Sequence, residues 1–338
     1  FASFKDLLLI SAGIFSFFIK IYNNYKMKNV YSNIYTFNKK ILKKTIKYLN
    51  EGSIIGLPTE TVYGIAANAY SQKAVVKIFK LKGRPKKNPL IIHYHNINDL
   101  EDDVILNKNF IKLYKKFCPG PITFILKKNK NSKICSIATA NLNTVAIRFP
   151  SHKVVRAILN YINFPIAMPS ANLSSALSPI CAYDVFEDFK DKLKLIVNGG
   201  KSKIGIESTV IDLSGKPKIL RPGIIGANEI RNAIKLDLSK KRSKLRSPGM
   251  LKKHYSPGIP VIMNKKSFNP EHAQIVIGKK YTIKKNYFNL SKKGDLKEAA
   301  SNLYMTMRKI KKLGYKKIFV TTVPNFGPGI AINDRLKR

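Results

Sequence analysis

Two short runs hold side chains suited to handling anions. The first is Pro58-Thr59-Glu60-Thr61-Val62-Tyr63-Gly64; the second, beginning eighteen residues past Gly64, is Lys82-Gly83-Arg84-Pro85, followed by Asn88-Pro89-Leu90. A strand over residues 53–57 that runs into a hydroxyl-rich turn is expected to aim O–H and backbone N–H donors at a cleft. Lys82 and Arg84, set two apart by Gly83 and closed by Pro85, make a basic fork matched to phosphate or carboxylate oxygens. Arginine is scarce, ten of the 62 basic residues, so the placement of Arg84, Arg148 and Arg221 beside such segments carries weight. A planar bidentate fork does there what a flexible ammonium cannot.

The familiar phosphate loops are missing. Gly199-Gly200-Lys201-Ser202 matches the end of a P-loop, but Leu195 stands where its first glycine belongs, and Gly327-Pro328-Gly329 lacks the third glycine of a dinucleotide fingerprint. Any nucleotide must therefore be held by dispersed hydroxyls, amides and basic groups. Metal-ligand spacing is absent as well: His93 and His95 lie two apart without a Cys, Asp or Glu partner, so no zinc site is assigned. Cys118, Cys135 and Cys181 form no C-x-x-C pair, which points to a reducing cytosol and a cytoplasmic protein.

The formal charge of +43 would ordinarily favour nucleic acid or an anionic membrane. The excess is nearly all Lys, spread evenly with Asn and Ile, which reads as compositional drift and a solvated basic face; an RNA-binding module stays open as a second reading. The apolar run 7–19 is about thirteen residues, short of the roughly 20 that span a bilayer, and no cleavage-site pattern follows it. Residues 1–29 are expected to be an extension outside the catalytic unit.

Two units must position these groups. With 338 residues and 44% hydrophobic content, the chain can bury a large core. Asn38 caps a helix carrying Ile41, Leu42, Thr45, Ile46 and Leu49 on one face, and Ser71 opens a second, with Ala74, Val75, Ile78 and Phe79 inward, that delivers Lys82 and Arg84 at its end. Strands near 90–94, 122–126, 144–149, 165–168, 193–197, 209–213 and 218–220 alternate irregularly with helices around 107–116, 151–161 and 227–235. That pattern implies an α/β fold: one large twisted mixed sheet flanked by helices over residues 30–235. A Ser/Lys/Arg-rich linker covers 236–259. A small α/β domain follows at 260–338, with strands near 261–263, 274–277 and 317–321 and a long amphipathic helix through Leu296, Leu303 and Ile310.

In order along the chain, further segments join the first two: Pro119-Gly120-Pro121-Ile122-Thr123, Val145-Ala146-Ile147-Arg148-Phe149-Pro150, Pro169-Ser170-Ala171-Asn172-Leu173-Ser174, Glu207-Ser208-Thr209-Val210 and Arg221-Pro222-Gly223. After the linker come Ser247-Pro248-Gly249-Met250, His254-Tyr255-Ser256-Pro257 and Gly329-Ile330-Ala331-Ile332-Asn333-Asp334-Arg335. Singly, each reads as a turn, a helix cap or a strand exit. As an ordered set over roughly residues 30–338, they resemble the YrdC superfamily, specifically its two-domain L-threonylcarbamoyladenylate synthases.

The resemblance implies a YrdC-like sheet with a Rossmann-like C-terminal domain. It also implies a reaction of ATP, L-threonine and bicarbonate or CO2 that gives threonylcarbamoyl-AMP and pyrophosphate. The product passes to a separate tRNA transferase for t6A37 modification, with Mg2+ entering on ATP; direct tRNA binding is left undecided. Carried over by motif, Thr61, His93, Arg148, Met168, Ser170 and Ser208 are expected to hold threonine, and Arg84, Asn88, Thr144, Ser170, Ser178, Arg221 and Tyr255 to hold ATP. Lys82, Arg84, Ser170 and Asn172 are expected to be the catalytic set. Met168 stands where the family commonly has a smaller residue. His93, beside Ile92 on a strand, also reads as a packing histidine. Tyr255 reaches the site only if the linker folds back over the nucleotide, with the C-terminal domain as a lid. A third reading, a carbamoyl-transfer maturation enzyme of similar fold, would require zinc-finger and acylphosphatase-like segments that this sequence lacks.

Overall fold

The computed structural model describes residues 31–100, 102–237, 255–267, 269–281 and 284–338. The expected N-terminal extension and the segment 247–254 lie outside the described residues.

The helix α1 (Lys39–Asn50) starts where Asn38 Oδ1 accepts the Ile41 amide at 2.9 Å, and it buries Ile41, Thr45 and Leu49. The helix α2 (Gln72–Lys82) is capped by Ser71 in the same way and stops at Gly83, whose φ of 58° turns the chain left-handed. That turn places Lys82 and Arg84 beneath the central strands. The remaining helices of this unit are α3 (Lys108–Phe117), α4 (Lys153–Leu159), α5 (Ala182–Phe189) and the short α6 (Ala227–Arg231).

Eleven strands form one mixed sheet: β1 (Ile34–Thr36), β2 (Ile55–Leu57), β3 (Gly64–Asn68), β4 (Ile91–His93), β5 (Val104–Ile105), β6 (Ile122–Lys128), β7 (Thr144–Arg148), β8 (Ile166–Ala167), β9 (Ile196–Asn198), β10 (Thr209–Asp212) and β11 (Lys218–Arg221). Their order is β1-β9-β2-β3-β8-β4-β7-β6-β10-β11, with β5 on a branch against β6. Successive residues of β3 enter opposite layers. Ile65 and Ala67 join the core under α2, α3 and α5, while Ala66 joins the core under α1 and α4. Central strands buried on both faces read as apolar runs rather than alternating patterns, as 90–94 and 122–126 do.

Four further strands, β12 (Val261–Met263), β13 (His272–Val276), β14 (Tyr287–Asn289) and β15 (Lys317–Val320), form an all-parallel sheet in the order β12-β15-β13-β14. The expected strand near 274–277 begins two residues earlier. Here α7 (Leu296–Lys312) makes the right-length crossover between β14 and β15, and α8 (Pro328–Leu336) follows. Asp295 caps α7 through the Lys297 and Glu298 amides.

The two units share a core. Leu303, Tyr304 and Met307 of α7 pack with Val62, Leu177, Ile180 and Ile206 of the larger unit. At the rim, Arg308 grips Asp188 with both terminal nitrogens at 3.0 and 2.8 Å and donates to the Leu177 carbonyl at 2.7 Å. Among the described residues, no helix is long and apolar enough to cross a membrane.

Gly205 marks the tightest point of this contact. Its φ is +74°, and a Cβ there would lie 2.6 Å from the backbone of Ser301 in α7. Gly205→Ala is therefore expected to cost about 1–3 kcal/mol of unfolding free energy through overpacking and backbone strain. Urea unfolding checks this, and an unchanged midpoint would contradict so close an approach.

Candidate active site

Strand ends and loops from across the large sheet surround one small, partly open hollow. Thr61 comes from the turn before β3, Gly64 from the start of β3, His93 and Arg148 from the ends of the paired strands β4 and β7, Met168 and Ser170 from the loop after β8, and Arg221 from the end of β11. Arg84 reaches it from beyond α2. Side chains separated by more than 150 residues thus converge.

The turn at Thr59 closes upon itself. The Thr59 hydroxyl donates to the Val62 carbonyl at 2.6 Å and accepts the Thr61 and Val62 amides at 3.2 Å each. The Thr59 hydroxyl is thereby committed to the turn, and both Thr59 and Thr61 line the hollow. Gly64 permits the close pass of the opposite loop, since a Cβ would lie 2.3 Å from Met168 Cγ.

Arg148 is buried and ion-paired, its Nη2 2.7 Å from Glu60 Oε1, while Glu60 Oε2 accepts the Ser151 amide at 3.2 Å. Its Nε, also buried, has no partner among the described residues. A buried guanidinium donor without an acceptor is costly, and a ligand carboxylate would relieve it. His93 lies beside it with Nδ1 3.2 Å from the Ile91 carbonyl. Burial and then the Arg148 charge draw the ring down to about 3, so it is neutral at physiological pH.

Arg84 donates through Nε to the Asn88 carbonyl at 3.0 Å and through Nη2 to the Pro89 carbonyl at 2.8 Å. Burial and repulsion from Arg221 draw it down to about 9, against a raising influence from Tyr255; it stays charged at neutral pH. Arg221 donates to the Ser208 carbonyl at 3.0 Å and to the Ser208 hydroxyl at 3.1 Å, and that hydroxyl also meets Thr123 Oγ1 at 2.7 Å. Two rigidly held guanidinium groups thus share one wall of the hollow.

Not every expected residue lines it. Lys82, fully buried, sends its ammonium to the Ser170 carbonyl at 2.6 Å and to the Asn172 carbonyl. It is a strut under the Ser170 loop, and the expected phosphate-facing fork is Arg84 alone; burial pulls the Lys82 ammonium well below its usual range. Asn172 braces the same loop through the Leu173 and Ala176 carbonyls, and Asn88 stands behind Arg84. Ser178 is one shell back, donating to Glu207 Oε1 at 2.5 Å. Thr144 begins β7, at the opposite end from Arg148. Tyr255 is buried against Tyr304, with ring centroids 6.0 Å apart, and lies under the Arg335 guanidinium.

Sequence reading gave no role to four residues. Glu60 holds Arg148. Glu207 lines the hollow and accepts from Ser178, from Tyr304 Oη at 3.0 Å and from Arg335 Nε at 2.8 Å. Burial alone would raise this carboxyl; Arg335, Arg221 and the Ser178 hydroxyl outweigh it and hold it at about 2. Glu60, Glu207 and Arg335 sat inside quoted motifs, and their signal was a charge within an otherwise apolar, Gly- or Thr-rich segment. Tyr304, on the buried stripe of α7, carried no such mark.

With this geometry in view, the matches to known proteins are specific. The family model Sua5_yciO_yrdC, described as telomere recombination, covers residues 47–223, more than half of the chain, and the chain belongs to that family. Within it, the chain carries the additional domain described as threonylcarbamoyl-AMP synthase, C-terminal domain, over residues 225–338. The threonylcarbamoyl-AMP synthase of Pyrococcus abyssi is 36% identical over 318 residues, spanning 86% of this chain and 91% of that protein. That of Bacillus subtilis is 36% identical over 314 residues, spanning 86% and 90%. The crystal structure of P. abyssi Sua5 complexed with L-threonine superimposes with a TM-score of 0.81 at 32% identity, over 90% of this chain and 96% of that one.

The neutral His93 has a measurable consequence. An unfolded histidine titrates near 6.5 and the folded one near about 3, so between these values only the unfolded chain binds the proton. Its contribution is full above pH 6.5 and falls as pH drops through that window. Denaturant titrations should show a shallower loss of stability for His93→Asn than for the parent chain between pH 6.5 and 4.5, above the range where Glu207 titrates; parallel curves would refute the assignment.

Proposed function

We propose that this chain is an enzyme that makes threonylcarbamoyl-AMP and pyrophosphate from L-threonine, bicarbonate or CO2, and ATP, supplying the tRNA t6A37 modification. What carries the reading is convergence: Arg84, Arg148, Ser170 and Arg221, from four separate segments of the chain, all line one hollow. Its relatives of matching length bear the corresponding name.

The chemistry asks the protein for alignment and charge screening. Threonine's neutral amine adds to CO2 and gives up one N–H proton to solvent, leaving a carbamate anion. A carbamate oxygen then forms a bond to the α-phosphorus as the bond to the bridging β-oxygen breaks, and pyrophosphate leaves with the electron pair. No covalent enzyme intermediate is needed. We assign Arg148, already oriented by Glu60, to the threonine carboxylate, with Thr61 and neutral His93 beside it; a neutral ring adds no charge to compete for that carboxylate. Arg84 and Arg221 we assign to the phosphates, where preorganised donors meet developing charge without reorganising. Ser170, which lines the hollow on the loop that Lys82 supports, we assign to the meeting point of the two substrates.

Magnesium is assigned to the nucleotide. Glu207, which lines the hollow, and Glu60, which stands behind Arg148, are already committed to Arg335 and Arg148. Phosphate oxygens and water would therefore hold the ion, as is usual for Mg2+. A separate transferase is the expected recipient of the product, and a reducing cytosol the expected setting, consistent with three free cysteines.

Purified protein should release pyrophosphate from MgATP only with threonine and bicarbonate both present; release indifferent to threonine would overturn the proposal. In the same assay, Arg84→Lys should lower turnover by about 10²-fold, the usual size for removing one preorganised donor to developing charge.

A further inference from the structure

Glu207 presents a problem of charge. The residue lines the same hollow as Arg84 and Arg221, where the proposed function puts a triphosphate. Arg221 is fixed to the backbone and hydroxyl of the very next residue, Ser208, so carboxylate and guanidinium are held as neighbours. A buried carboxylate facing an anion site repels the anion and competes for its cations, unless a separate positive charge satisfies it.

That charge comes from the other unit. Arg335 on α8 donates Nε to Glu207 Oε2 at 2.8 Å, and Tyr304 on α7 donates its hydroxyl to the same group. Arg335 is itself pinned by Asp334 at 2.8 Å and by the Tyr255 ring. The side chain is 1% exposed, so the pairing is not screened by solvent.

We propose that Arg335 is a positioning residue of the nucleotide site, neutralising Glu207 so that this carboxylate does not compete with the triphosphate for Arg221 and Arg84. The C-terminal domain then completes the phosphate wall by electrostatics across the domain contact, without touching substrate. Threonine binding is insulated from this effect, because Arg148 has its own carboxylate, Glu60.

The inference rests on the hollow being the ATP and threonine site, so the full-length parent protein is assayed first; pyrophosphate release that ignores threonine or bicarbonate would count against that reading and leave Arg335 aside. With that dependence established, Arg335→Ala should raise KM for MgATP by about tenfold, a common size for coupling between sites. KM for threonine should stay within about twofold, the usual scatter for independent positions. Adding Glu207→Gln should return KM for MgATP to within about twofold of the parent, even if the melting temperature stays low, since an alanine at 335 restores no bond across the domains. Should Arg335→Ala fail to fold, Arg335→Lys and the double variant carry the test, both expected to keep KM for MgATP near the parent value. The proposal is overturned if the double variant keeps a raised KM for MgATP, or if Arg335→Ala leaves that KM unchanged or raises both KM values alike.

Discussion

A carboxylate buried in the protein interior is stable only if its charge is met, and at Glu207 the meeting group arrives from a different domain. Ser178, Tyr304 and Arg335 all bond this one side chain. Removing one partner from such a cluster leaves a desolvated charge, at a cost of several kcal/mol. The apolar contact between α7 and the larger unit and the Arg308–Asp188 clamp at its rim hold the two domains in the register that this cluster requires. Packing brings the partners near, and electrostatics makes the position matter.

A second pattern runs through the site: each reactive-looking cation is already tied to protein acceptors. Lys82 holds the Ser170 loop, Arg84 spans the Asn88–Pro89 turn, Arg148 rests on Glu60 and Arg221 on Ser208. These bonds fix each group before a ligand arrives, so little rotamer entropy remains to be lost on binding. They also separate the supporting residues from those that can meet a substrate. Arg84, Arg148 and Arg221 line the hollow, whereas Lys82 does not.

Much of the fold was legible in the sequence because its signals are local. The caps at Asn38 and Ser71, the stop at Gly83 and the apolar runs of β4, β6 and β7 each announce themselves within a few residues. The elements that escaped were short or atypical. Helix α5 has eight residues, β1 and β14 have three each, and α8 begins at a Gly-Pro-Gly that reads as a turn. Pairing across the sheet supplies what their own propensity lacks. Part of the motif set meets at one hollow, through Thr61, Arg84, His93, Arg148, Met168, Ser170 and Arg221. Individual roles were less legible, because nothing in Lys82-Gly83-Arg84 says that one cation props the Ser170 loop and its neighbour lines the hollow. Glu207 and Arg335 lie 128 residues apart, and only the docked domains reveal them as a pair.

That separation also orders events during synthesis. At about 5–20 residues per second, the ribosome finishes Glu207 roughly 6–25 seconds before Arg335 is made. The large sheet can assemble in that interval with its acidic side chain not yet answered. A nascent chain is therefore born with Glu207 lacking its partner, and translation itself delays the moment at which the hollow reaches its final electrostatic form.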